Sequence, residues 1–287
     1  MFEKKKDYLV CVDSDGCLLD NMELKHKECF VPATVNCWNL QGASKYVRET
    51  AEFVNLYSRM RGVNRFPAIV KTLELAYARP ELKARGYVLP NLDPLRQWIA
   101  STPVLSASAI DEYCNEHKDC SHILSQAAMW SREVDANIAH IVRNIREFPY
   151  VKPSLERLGE FADIVVVSAT PHEALVRELE SLGLVRYMRF IFGQDYGTKS
   201  SCIGAAMSLG YSPDHVLKIG DAPADYKAAC DNGVLFNPIV AGMEEASWKT
   251  LLEIGADRFE NGSFKGSYED GLVSNFLDNL KDKPWWL

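Results

Sequence analysis

Two aspartates, Asp13 and Asp15, stand one residue apart at the end of the apolar run Tyr8-Leu-Val-Cys-Val, and Gly16 follows at once. The run reads as a buried central strand. At its end the two acids alternate across the backbone, and Gly16 lets the chain turn sharply and approach a ligand closely. Two carboxylates in such a place are costly unless a cation or a proton offsets them. A solvated loop with two acids is the alternative reading of this stretch taken alone. Three further groups follow strand-like runs: Ser168 after Asp163-Ile-Val-Val-Val, Lys199 within Gly193-Gln-Asp-Tyr-Gly-Thr-Lys, and Asp221 and Asp225 within Gly220-Asp-Ala-Pro-Ala-Asp. Singly, Ser168 could be a helix cap, Lys199 a solvated lysine and Asp221 an N-cap. Jointly, in this order and all at strand ends, they form a set suited to phosphoryl transfer. Carboxylate oxygens suit Mg²⁺, while a lysine and a hydroxyl suit the non-bridging oxygens of a phosphoryl group. One carboxylate can attack phosphorus, and a second two residues away can protonate the leaving oxygen and later activate water. No G-x-x-x-x-G-K-[ST] loop occurs, so nucleotide binding of that kind is not supported.

The elements that must position these groups alternate between strand and helix from residue 150 onward. Strands are expected at 163–168, 188–192, 215–220 and 234–236, with helices at 153–161, 172–182, 200–209 and 224–231. Such alternation implies a Rossmann-like, doubly wound parallel sheet to which the first strand also belongs. Ligands of such sheets sit outside the carboxyl ends of the strands, where every group named above falls. Residues 20–149 have a different texture, with helical periodicity over 44–61, 68–78, 91–101, 106–118 and 121–148. The chain thus reads as an α/β core, residues 1–19 and 150–287, interrupted after its first strand by an all-helical insertion, residues 20–149. The stretch Asn261-Gly-Ser-Phe-Lys-Gly-Ser-Tyr268 looks like a turn-rich return to the core, and the aromatic tail Lys-Pro-Trp-Trp-Leu is expected to pack on the fold.

Of the 287 residues, 47% are hydrophobic and 25% charged, as in ordinary globular proteins, and the net charge of −7 argues against nucleic-acid or anionic-membrane partners. Neither a cleavable signal pattern nor an apolar stretch long enough to span a bilayer is found, which points to a cytoplasmic protein with its eight cysteines reduced. Cys114, His117, Cys120 and His122 form a compact cluster, but structural zinc sites usually separate two ligand pairs by a longer finger. A helix with assorted polar residues is the preferred reading there.

In all four of its motifs and over its whole core, the chain resembles the haloacid-dehalogenase superfamily. Asp13-Ser-Asp15-Gly matches the D-x-D-G signature, Ser168 the second-motif hydroxyl, Lys199 the third-motif lysine, and Gly220-Asp221-Ala-Pro-Ala-Asp225 the G-D-x-x-x-D motif. The resemblance implies that Asp13 is the nucleophile and a magnesium ligand, and that Asp15 is the acid/base that also offers its carbonyl to the metal. It further implies that Ser168 and Lys199 hold the phosphoryl group, that Asp221 completes the Mg²⁺ site and that Asp225 supports it. The insertion looks like the helical cap of phosphoglycolate phosphatase and β-phosphoglucomutase relatives, though larger. Branches acting on carbon–halogen or phosphonate bonds lack an acid at position 15, so Asp15 implies phosphate esters. Cys17 stands where the family usually has Thr or Val. The expectation is a Mg²⁺-dependent phosphatase of small phosphorylated metabolites working through an aspartyl-phosphate. A sugar phosphomutase and a non-catalytic phosphate-binding protein are the alternatives. Substrate selection would fall to the insertion, with Arg59, Arg61 and Arg65 as anion clamps or as a solvated helix terminus, and Lys25 and His26 near its entry. Ala169 and Thr170, beside Ser168, are further candidates for contacting substrate. The oligomeric state is not legible.

Overall fold

In the computed structural model, residues 2–117 and 121–287 are described. The chain divides into two compact units, Met1–Met22 with Asn144–Lys281, and Glu23–Arg143 with Asp282–Leu287.

The first unit is built on a five-stranded, wholly parallel sheet in the order β3-β2-β1-β4-β5, with β1 Tyr8–Val12, β2 Ala162–Val167, β3 Phe190–Phe192, β4 Val216–Gly220 and β5 Leu235–Pro238. β1 is central, pairing Tyr8 with Ala162 on one side and Leu9 with Val216 on the other. Alternate side chains of β1 feed opposite cores. Val10 and Val12 pack with Leu155 and Leu158 of the helix Val151–Gly159 and with Leu175 and Leu179 of His172–Ser181. Leu9 and Cys11 pack with Cys202, Ile203 and Ala206 of Lys199–Met207 and with Ala228 and Ala229 of Pro223–Asn232. Each fully buried Val or Leu contributes roughly 1.5–3 kcal/mol, so both helix layers are held firmly to the sheet. This is the doubly wound α/β architecture expected from the alternation. The strand order reverses between β1 and β4, and that switch point is where such sheets open a crevice.

The second unit is helical, with helices at Val31–Cys37, Ser44–Glu52, Arg65–Ala78, Asp93–Ser101, Ala107–Glu116 and His122–Ile141. Its core gathers Trp98, Trp130, Phe66, Leu73 and Leu124. Among the described residues, no helix is long and apolar enough to cross a membrane.

Several elements end elsewhere than periodicity suggests. The helix expected over 44–61 continues as a π-helical turn, Phe53–Tyr57, and stops where Ser58 turns extended. The longest helix ends at Ile141 rather than near 148. Asn144 has a left-handed φ of 54°, and the following residues pair with the loop after β1 through Asp20 N–H to Arg146 O and Phe148 N–H to Leu18 O. Those hydrogen bonds, invisible to periodicity, take the chain out of the helix. Beyond β5 the chain forms the helices Glu244–Thr250 and Ser267–Asn279, joined through turns at 261–262 and 265–266 in the stretch read as turn-rich.

The last six residues join the helical unit rather than the core. Asp282 pairs with Arg59 at 3.1 Å, and the Trp286 ring packs against Phe53 at 5.8 Å and under the Arg79 guanidinium at 4.3 Å. The seven described cysteines are free thiols, and Cys120 of the Cys/His cluster lies outside the described residues.

Candidate active site

β1 ends at Val12, and Asp13 N–H still donates to Ile219 O of β4, so Asp13 leaves the sheet at the switch point. The backbone then folds into a tight loop. Gly16 takes a left-handed φ of 70°, Leu19 N–H donates to Ser14 O, and Gly16 N–H donates to Leu19 O. Trp248, fully buried, braces this loop from below by donating its indole N–H to Cys17 O at 2.9 Å.

The other strand ends bring their groups to the same place. Ser168 follows β2, with its N–H on Phe192 O and its hydroxyl 2.7 Å from that of the fully buried Ser14. Lys199 opens the helix Lys199–Met207, whose start is fixed by Thr198 accepting from Ser201 N–H. Its Nζ lies 2.7 Å from Asp13 Oδ2 and 2.8 Å from Asp225 Oδ1. Asp221 follows β4, and Asp225 projects back from the first turn of the next helix. Gly220 is required for that return, because a Cβ there would lie 2.3 Å from Asp225 Cγ.

Asp15 is held differently from Asp13. Its Oδ1 accepts from Asn21 Nδ2 at 2.6 Å and its Oδ2 from the Thr170 hydroxyl at 3.1 Å. Thr170 N–H in turn donates to Ser168 Oγ. Asn21 and Ser14 escaped the sequence reading, and nothing in their local pattern signals them. Lys218 also escaped it, though a signal exists: it is the single charged residue of the apolar strand Val216-Leu-Lys-Ile-Gly220. It is fully buried, with Nζ 2.8 Å from Asp225 Oδ1.

The electrostatics are those of gathered carboxylates. Burial first, then Asp225 nearby, pushes the Asp13 carboxyl up to about 7 against the pull of Lys199 and Lys218. Burial opposes ionisation of Asp225 as well, but Lys199 and Lys218 outweigh it and its pKa falls below the ordinary carboxylate value. For Lys199, burial is overcome by Asp13 and Asp225, which hold its ammonium above the usual lysine range. Lys199 meets both Asp13 and Asp225, and Lys218 meets Asp225. Carboxylate oxygens of Asp13, Asp221 and Asp225 lie within 4.8 Å of one another, the arrangement a metal ion needs. An all-oxygen donor set of this kind fits a hard divalent cation such as Mg²⁺.

The remaining sequence candidates fall in both units. Ala169 is exposed beside Ser168. Within the helical unit, Lys25 and His26 belong to the π-helical turn Lys25–Phe30, Lys25 buried and His26 stacked on Phe30 at 4.6 Å. Arg59 pairs with Asp282, buried Arg61 donates to Leu56 O at 3.0 Å, and Arg65 donates to Asp135 Oδ1 at 2.7 Å and to Ser131 Oγ at 3.1 Å. Arg65 opens the helix Arg65–Ala78, where the dipole disfavours a cation, so Asp135 rather than the helix end offsets its charge.

Comparison with known proteins adds three findings. A model of the haloacid dehalogenase-like hydrolases matches residues 95–237, which include Ser168, Lys199, Asp221 and Asp225 but not Asp13 or Asp15. The fold is similar to that of a predicted phosphoglycolate phosphatase from Haemophilus somnus, with a TM-score of 0.53 and 15% identity over 83% of this chain and 87% of that one. It is also similar to a protein given the same designation from Lactobacillus delbrueckii subsp. bulgaricus, with a TM-score of 0.52 and 14% identity over 91% of this chain and 100% of that one. At such identities the likeness establishes a shared fold. No curated protein matches the chain significantly.

Proposed function

We propose that the chain is one of the haloacid dehalogenase-like hydrolases, whose model matches residues 95–237, and that it is a Mg²⁺-dependent phosphatase of small phosphorylated metabolites. One observation carries the reading: the carboxylates of Asp13, Asp221 and Asp225 lie within 4.8 Å of one another beside the Lys199 ammonium, with a second acid, Asp15, two residues after Asp13. Lys199 pulls Asp13 toward its ionised, nucleophilic form against the effect of burial. Asp15 accepts from Asn21 and Thr170, which fix its carboxyl in place.

In the proposed reaction an Asp13 carboxylate oxygen attacks phosphorus and the ester oxygen leaves as an alcohol, taking its proton from Asp15. Asp15 then accepts a proton from the water that hydrolyses the aspartyl-phosphate and releases inorganic phosphate. Lys199 and Ser168 steady the non-bridging oxygens throughout. Asp13, Asp221 and the Asp15 carbonyl would hold Mg²⁺, with Asp225 behind them, and the ion would offset the charge of the phosphoryl group.

The test is release of inorganic phosphate by the purified chain with Mg²⁺ from a panel of phosphorylated acids, sugars and nucleotides, beginning with phosphoglycolate. Asp13→Asn should lower turnover to background while circular dichroism and melting stay close to wild type. Substantial activity in that variant would sink the covalent mechanism. Conservation of ester phosphate with a bisphosphate requirement would identify a phosphomutase instead, and binding without turnover a phosphate-binding protein.

A further inference from the structure

Lys218 takes no part in the reaction just described, yet its placement is expensive. It occupies the middle of β4, opposite Cys11 of β1 and Phe236 of β5, in a strand with no exposed residue. A leucine or methionine would fill that position without removing an ammonium from water. The charge has one partner of opposite sign at contact distance among the described residues, Asp225 Oδ1 at 2.8 Å, and the approach is poorly angled for a hydrogen bond. The attraction is therefore Coulombic.

That same oxygen receives Lys199 Nζ at 2.8 Å, and Lys199 Nζ reaches Asp13 Oδ2 at 2.7 Å. Four buried charges of alternating sign thus run Lys218, Asp225, Lys199, Asp13. Asp225 carries a single negative charge between two cations. Without Lys218 that charge would fall wholly on Lys199 and hold it away from any competing anion. With Lys218 present, Asp225 is already matched, and the Lys199 ammonium is left to Asp13 and an incoming phosphoryl group.

The geometry points to Lys218 as a positioning residue that neutralises Asp225 and so frees Lys199 to bind the phosphoryl group. It touches neither substrate nor attacking oxygen. The inference rests on the phosphatase reading and extends it to how phosphate affinity is set.

The experiment replaces the charge in the full chain by Lys218→Met and follows two affinities, those for inorganic phosphate and for Mg²⁺, by calorimetry, together with turnover and melting temperature. Phosphate should bind about tenfold more weakly and kcat/KM should fall by a similar factor. Mg²⁺ should bind as tightly as in wild type or more so, because a nearby positive charge is gone. This divergence separates positioning from mere support, since a loosened core would weaken both ligands together. The double variant Lys218→Met/Asp225→Asn removes the trap with the key, so its phosphate affinity should recover above that of the single variant; if the single variant does not fold, phosphate affinity near wild type in the double variant supports the role and a tenfold loss overturns it. Parallel loss of both ligands, wild-type phosphate affinity in Lys218→Met, or no recovery in the double variant overturns the role of Lys218. A wild-type chain that binds phosphate but turns over no ester would sink the phosphatase reading and leave this role to the phosphate affinities alone.

Discussion

Buried charge is handled in opposite ways in the two units. At the carboxyl ends of the sheet, the buried carboxylates of Asp13, Asp221 and Asp225 are gathered within 4.8 Å of one another. In the helical unit a buried cation is set among acids and aromatic rings. Arg79, 2% exposed, meets Glu49 at 2.9 Å and Glu81 at 3.4 Å, and its guanidinium lies over the rings of Tyr46 and Trp286. Burial alone is not the difference, as Asp163 shows. It is buried in β2 at the opposite end of the sheet, yet its Oδ2 accepts from Lys5 N–H, Lys6 N–H and the Tyr211 hydroxyl. A buried charge set against opposite charges or donors supports structure; carboxylates gathered on one another are placed to receive a cation.

That contrast can be broken most forcefully at Asp15. Asp15→Asn should lower kcat/KM on alkyl phosphates by about 10²–10⁴-fold, the range of a lost general acid, with melting almost unchanged. On p-nitrophenyl phosphate, whose leaving group departs without a proton, the first step should suffer less. Equal losses on both esters in the pre-steady state would remove Asp15 as the proton donor.

Arg79→Met should give the reverse pattern. Taking one member from a largely buried ion pair that also anchors Trp286 should cost about 3 kcal/mol, read by urea unfolding. Turnover per folded molecule should stay near wild type. Loss of turnover at unchanged stability would erase the distinction between the units.

The smallest effect is expected at Arg65. Arg65→Ala should cost about 1 kcal/mol or less, since Asp135 is half exposed, and should leave p-nitrophenyl phosphate hydrolysis alone. A marked rise in KM confined to a metabolite substrate would show that the guanidinium exchanges Asp135 for a ligand anion and would make it a specificity residue.

Much of the core was legible beforehand because a buried parallel strand leaves a continuous apolar run, and its carboxyl end is where polar residues resume. Asp13, Ser168, Lys199 and Asp221 could each be placed that way. The ends of the helices at 57 and 141 were not, because no glycine or proline marks either stop and the deciding hydrogen bonds, such as Phe148 N–H to Leu18 O, join residues far apart in sequence. The tail was misassigned for a related reason. Its composition calls for burial of Trp286 but does not say against what, and the Arg79 guanidinium and the Phe53 ring that receive it belong to the helical unit.

By itself, then, the sequence determined the strand-end order of the polar residues and hence an α/β crevice able to handle phosphoryl groups, because local periodicity and turn chemistry suffice for both. Only the tertiary structure decided which groups meet. Asn21 and Thr170 converge on Asp15, and Lys218 and Lys199 converge on one oxygen of Asp225. Those neighbours set what each carboxylate can do, and they come from loops and strands up to 155 residues away in the chain.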